Sequence, residues 1–252
     1  MRLQHRWPMT FTTPSIAVSS PALPGRWVGG ASLVVGPLLL LTGVLLRLPY
    51  DFFFPAQLSA YEHDPALMTA SYSFVAAGWV LLWPGVVLLA ARIGEGFREL
   101  AAWGGTLTVL GLFARTFHAG VDHLDFQLVT IQGAASATRT VSETYGAFHI
   151  FSTLNAAIMG GWILLAIGAY RSGVFGPLRA LALGLASAMP LGVLKGTTPW
   201  SVAAVAGLCV ALVPLGVAAL RSGPVPRTAT VAGRLLLVGA VGVAMFLLGQ
   251  AG

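Results

Sequence analysis

The sequence predicts an all-α, polytopic membrane helix bundle, and three observations carry that prediction. Only 9% of the 252 residues are charged and 56% are hydrophobic, where an average soluble domain has about 25% charged residues. The mean hydropathy is +0.82. The apolar residues also fall into seven runs, most of them near the ~20 residues a helix needs to cross ~30 Å of hydrocarbon. So little charge cannot cover a water-facing surface, which excludes a soluble globular domain. The 31 glycines and 15 prolines sit among apolar residues, not in the charged, weakly hydrophobic setting of a disordered chain. A single cysteine, Cys209, excludes an intrachain disulfide and any Cys-x-x-Cys motif.

Residues 1–26 are expected to form a flexible cytoplasmic tail. Arg2 and Arg6 are followed by Pro8, Pro14, Pro21 and Pro24, so no continuous apolar core of a cleavable signal peptide is present. Residues 27–252 read as one transmembrane domain. Its spans are expected at 27–48, 66–91, 99–123, 144–170, 178–194, 199–220 and 231–249. Asp64-Pro65 and Thr198-Pro199 each place a capping side chain before a proline at the first helical position. Thr140-Val-Ser-Glu143 has the spacing of a capping box opening the fourth span. Gly173, just past Arg171, closes that span, and Pro177 opens the fifth. Pro84, Pro190 and Pro214 fall inside spans, where neighbouring helices must satisfy the freed carbonyls.

Charge orients the bundle. With the N-terminus cytoplasmic, ten arginines fall on the inner side, against Arg47, Arg139 and Lys195 on the outer side. That bias over short loops places the N-terminus inside and the C-terminus outside. The formal charge of +6 is therefore loop charge, and nucleic acid is not an expected partner. Thirteen of the 14 basic residues are arginine, a usage associated with GC-rich bacterial genomes. The cell membrane is the expected location and the lipid bilayer the expected partner.

Acids and histidines gather at the opposite side, at the outer ends of helices. The densest stretch runs from Arg115 to Asp125. At ~100° per residue, Arg115, His118, Asp122 and Asp125 fall within a stripe ~80° wide, while His123 points elsewhere. The next span carries Glu143, His149 and Asn155, and a short connection makes the two spans antiparallel neighbours. His118 and His149 are then expected at similar depth.

Three chemistries fit this constellation. In the first, His118 transfers a proton with Asp122 as its orienting partner, Arg115 balances charge, and His149 acts from the facing helix. Asp125, Glu143 and Asn155 would then contact substrate. In the second, His118 and Asp122 share a metal ion with His149 and Glu143. In the third, His118 and His149 ligate a haem. Against all three stands a structural role, with Arg115 neutralising Asp122 and the histidines tying helices together. No cofactor is assigned. Trp79 and Trp83 read as packing residues, Glu62 and His63 as solvated loop residues, and Tyr50 to Phe54 as an interfacial aromatic run that can cover a pocket.

His118-x-x-x-Asp122 resembles one piece of the motif set of the alkaline ceramidase and progestin/adipoQ receptor hydrolases. That family's zinc site also needs a His-x-x-x-His pair on the last helix, where this chain has no histidine, so the zinc site is not carried over. In size and helix number the chain is similar to small membrane terpene cyclases, which implies carboxylic-acid proton donors. Asp64-Pro-Ala-Leu-Met-Thr-Ala-Ser resembles bacterial multi-helix membrane families of unknown function. The expectation is a membrane-embedded site acting on a lipid-like or isoprenoid-like small molecule. A transporter or an accessory subunit of a larger complex is the competing class.

Overall fold

The computed structural model describes residues 24–190, 192–224 and 228–250; the expected tail lies almost wholly outside them. The described residues form nine α-helices: α1 (Gly25–Leu46), α2 (Phe54–His63), α3 (Pro65–Gly94), α4 (Arg98–Gln132), α5 (Ala134–Thr144), α6 (Leu154–Arg171), α7 (Pro177–Gly184), α8 (Pro199–Arg221) and α9 (Thr228–Gln250). Six helical stretches are long and apolar enough to cross a membrane: α1, α3, α4, Ile150–Arg171, α8 and α9. The architecture is that of a helical, multi-pass membrane protein.

Close backbone approach holds the long helices together. Gly29, Gly36 and Gly43 repeat every seventh residue along α1, as do Gly78 and Gly85 along α3. A Cβ at Gly36 would lie 3.3 Å from the Gly78 carbonyl oxygen, and one at Gly43 would lie 2.7 Å from that of Ser71. The same device joins α4 to α6: Gly104 meets Leu165, Gly111 meets Ile158 and Gly161 meets Thr108. Between apolar helices in a membrane, small residues on the contact face replace the hydrophobic driving force with tight van der Waals packing. Gly30 and Gly216 bring α1 and α8 together in the same way. In contrast, α9 has no buried residue.

Caps read from the sequence are present. The Asp64 carboxylate accepts from the Leu67 N–H at 3.0 Å and opens α3. Thr198 accepts from the Ser201 N–H at 3.2 Å while the Ser201 hydroxyl accepts from the Thr198 N–H at 3.1 Å. Thr198→Ala is expected to destabilise the fold by about 1 kcal/mol and Thr198→Ser by much less. Thermal melts in detergent check this; equal losses would remove the cap as the cause.

Three element boundaries differ from expectation. First, α4 continues to Gln132 before ending at Gly133, whose φ of 78° no β-carbon residue adopts readily. Phe126 and Val129 keep that last stretch helical by packing with α2, α3 and α5 in a second apolar core. Second, the Thr140–Glu143 pattern opens no span. It lies inside α5, whose first N–H, from Ala134, is instead capped at 2.9 Å by Glu62 of α2. The fourth span begins only at the turn Ile150–Thr153, which leads into α6. Glu62 and His63 are thus helical, not loop residues.

The third difference bears on function. The expected fifth span is interrupted: α7 lasts eight residues, a 3-10 turn follows over Leu185–Ala188, and residues 189–190 and 192–198 are irregular. Pro190 explains the break. It lacks an N–H and forces the preceding residue out of the helical region, and Met189 has φ −67° and ψ 140°. Gly192 (φ 111°) and Leu194 (φ 49°) then turn the chain through the left-handed region. The segment still runs from one end of the bundle to the other. It begins beside Ser172 and Phe175, close to the α3–α4 connection at Gly96, and ends with the Gly196 N–H donating to the Phe52 carbonyl at 2.8 Å. Residues 50–63, α5 and residues 145–149 form a cap over that second end.

Candidate functional site

The predicted stripe on α4 is buried. Arg115, His118, Asp122 and Asp125 are 6%, 3%, 9% and 7% exposed, while His123 faces outward. With the helix running on to Gln132, these groups lie within it, not at its end. Their surroundings are supplied by the interrupted segment. An Arg115 Nη2 donates to the Pro190 carbonyl at 2.5 Å, and the Leu194 N–H donates to Asp122 Oδ1 at 2.6 Å. Non-helical backbone at membrane depth survives only where protein or cavity water satisfies it. Here α4 does so with two charged side chains.

This arrangement alters two expected roles. Arg115 and Asp122 form no direct ion pair; among the described residues the one ion pair is Arg92–Glu95, 3.6 Å apart. Asp122 also accepts its hydrogen bond from the Leu194 N–H and not from His118. The His118 Nδ1 is buried with no partner.

His118 does meet His149. Their rings stand edge to face with centroids 5.6 Å apart, and Phe117 packs against His149 at 4.9 Å. His149 is not on a helix: it has extended backbone and immediately precedes the Ile150–Thr153 turn. Its Nδ1, and the Oδ1 of Asn155, are also buried without partners. A cavity of about 300 Å³ is lined by His118, His149, Ser152, Asn155, Gly192 and Lys195, among others. Glu143 takes no part; it is exposed on α5. Asp125 lines neither this cavity nor the one beside it. Among the described residues, no three His, Cys, Asp or Glu side chains stand close enough to hold a metal ion.

The neighbouring cavity, about 60 Å³, lies deeper between α1, α3, α4 and the segment. Arg47, Tyr72, Trp79, Arg115, Asp122 and Lys195 line it, and His118, Gly192 and Lys195 border both cavities. Arg47 donates from Nε to Thr197 Oγ1 at 3.3 Å and stacks 4.4 Å from the Tyr72 ring centroid. Arg115 lies 5.6 Å from that of Trp79. Trp79 is therefore a cavity wall, whereas Trp83 is 43% exposed on the outer surface of α3. Lys195, the only lysine in the chain, has its ammonium 4.9–5.3 Å from the rings of Phe53, Tyr145 and Phe52. The aromatic run after Arg47 thus covers the site.

Sequence reading overlooked Lys195 and Pro190 as site residues because spans five to seven hold no acid or histidine, and it grouped Arg47, after the first span, only with the interfacial aromatic run. The signal available was the solitary lysine, three residues before the Thr198 helix cap. No family model matches the chain, and no curated protein or solved structure matches it.

Proposed function

We propose that the chain crosses the membrane seven times, N-terminus inside and C-terminus outside, and carries at its outer, capped end an acid–base site for a lipid-like or isoprenoid-like molecule. The interrupted segment counts as the fifth crossing, since it links the two ends of the bundle. The orientation rests on the arginines: Arg92, Arg98, Arg171 and Arg221 belong to the ends of α3, α4, α6 and α8 remote from the cap.

One observation carries the acid–base reading. Two imidazoles from separate parts of the chain meet at 5.6 Å beside a cavity, each with a buried Nδ1 that no protein group engages. A histidine transfers protons near neutral pH and needs a free ring nitrogen facing the reacting group. His118 is the proton-transfer group, His149 its neighbour, and Asn155 a substrate contact. Asp122 acts as a positioning residue, holding the backbone that presents Lys195.

Lipid and isoprenoid extracts from cells expressing the wild-type chain, His118→Ala or His149→Ala, compared by mass spectrometry, test the reading. A species that changes with the wild-type chain and with neither variant, at equal levels of folded protein, is the expected result. Identical profiles in all three and in empty cells would sink it. The transporter reading is favoured by one feature, the interrupted crossing, since transporters build midplane sites from discontinuous helices. Such breaks come in corresponding pairs, and the described residues hold one.

A further inference from the structure

The deeper cavity is unbalanced in charge. Arg47, Arg115 and Lys195 line it together with a single carboxylate, Asp122, and that carboxylate already binds the Leu194 N–H at 2.6 Å. Among the described residues none of the three cations lies in an ion pair. Arg47 and Arg115 are 7% and 6% exposed. The Arg115 Nε is buried without an acceptor.

A buried cation that lacks an anionic partner is strongly destabilising, and more so at membrane depth. The aromatic faces of Tyr72, Trp79 and Tyr145 soften that cost, but they bring no negative charge. The first turn of α8 adds to the imbalance, because Ser201 lines the same cavity and a helix N-terminus carries partial positive charge.

We propose that Arg47, Arg115 and Lys195 bind an oxyanion, a carboxylate or phosphate, borne by an amphiphilic molecule. Guanidinium groups match such oxygens in a planar fork, and an ammonium adds a point charge. The volume agrees. By this measure one water needs ~10–15 Å³, so about 60 Å³ admits an anionic head group and not a lipid tail. The remainder of the molecule extends past Gly192 into the larger cavity, against His118 and His149. The anion site stands on charge and geometry alone; that its occupant is the substrate of His118 rests on the function proposed above.

The full chain, purified in a neutral detergent, provides the test through tryptophan emission and thermal melting. Dodecyl phosphate and dodecanoate are expected to raise the melting temperature and change the emission of Trp79, identified by its loss in Trp79→Phe. Dodecanol, with the same tail and no charge, is expected to do neither. Lys195→Gln, which removes no protein hydrogen bond, should weaken dodecyl phosphate binding at least about tenfold, the effect of losing one contact to a charged group. Arg115→Gln should weaken it too. Inorganic phosphate separates the sources: tighter binding of the alkyl phosphate assigns a head group, and equal binding assigns a soluble anion; either supports an anion site. Equal binding of dodecanol and dodecyl phosphate, or wild-type affinity in Lys195→Gln, overturns it. Binding without any change in lipid profile keeps this site and removes the proton-transfer reading. The reverse pattern removes this site alone.

Discussion

Replacing Gly161 by valine is expected to destabilise the fold by at least about 3 kcal/mol, the upper end for overpacking a filled interior. A Cβ there would lie 2.5 Å from the Thr108 backbone nitrogen and in contact with its hydroxyl oxygen. Thr108 is fully buried, so its helix cannot shift without parting α4 from α6. That contact also fixes the site, because α4 carries His118 and α6 follows directly from the turn that begins at His149. The adjacent Gly160 supplies the control: a Cβ there meets nothing within 4 Å. Gly160→Val should therefore leave the melting temperature near wild type, and valine is slightly the better helix former. Similar melts for the two variants would show that the α4–α6 contact is not tight.

Asp122→Ala is expected to produce the second large effect. It removes the acceptor at 2.6 Å from the Leu194 N–H and strands a buried donor, at about 1–3 kcal/mol. Leu194 is fully buried, with φ 49°, a conformation a residue with a β-carbon holds only when its surroundings impose it. Asp122→Asn keeps an acceptor oxygen and should retain most of the stability, although it removes the cavity's only negative charge. The two variants thus separate positioning from charge. In thermal melts the alanine variant should fall well below the asparagine variant. A matching fall in both would assign the effect to charge and remove the hydrogen bond as its cause.

Membrane character and the larger part of the helix plan were legible because they follow from composition and run length. The Asp64 and Thr198 caps were legible because each is a local pattern that its own helix completes. The Thr140–Glu143 pattern misled for the converse reason. A capping box is a signature of four residues, and nothing within those four reports that α5 is already under way, held at its start by Glu62 from 72 residues earlier. Periodicity placed Arg115, His118, Asp122 and Asp125 on one face, since that is a property of a single helix. Their partners are tertiary. The choice of Pro190 for Arg115 and of Leu194 for Asp122 depends on a break in a span that hydropathy reads as continuous. Pro190 was visible as a helix breaker; that its carbonyl would face an arginine was not.

The interrupted segment also bears on how the chain enters a bilayer. A helix of eight residues followed by irregular backbone carries several unbonded peptide groups, and each such group is unfavourable by several kcal/mol in hydrocarbon. The segment therefore has little tendency to insert alone. Its partners, Arg115 and Asp122, lie on α4 and leave the ribosome more than 70 residues ahead of the groups they satisfy. Chain order thus delivers the polar latch before the backbone that needs it.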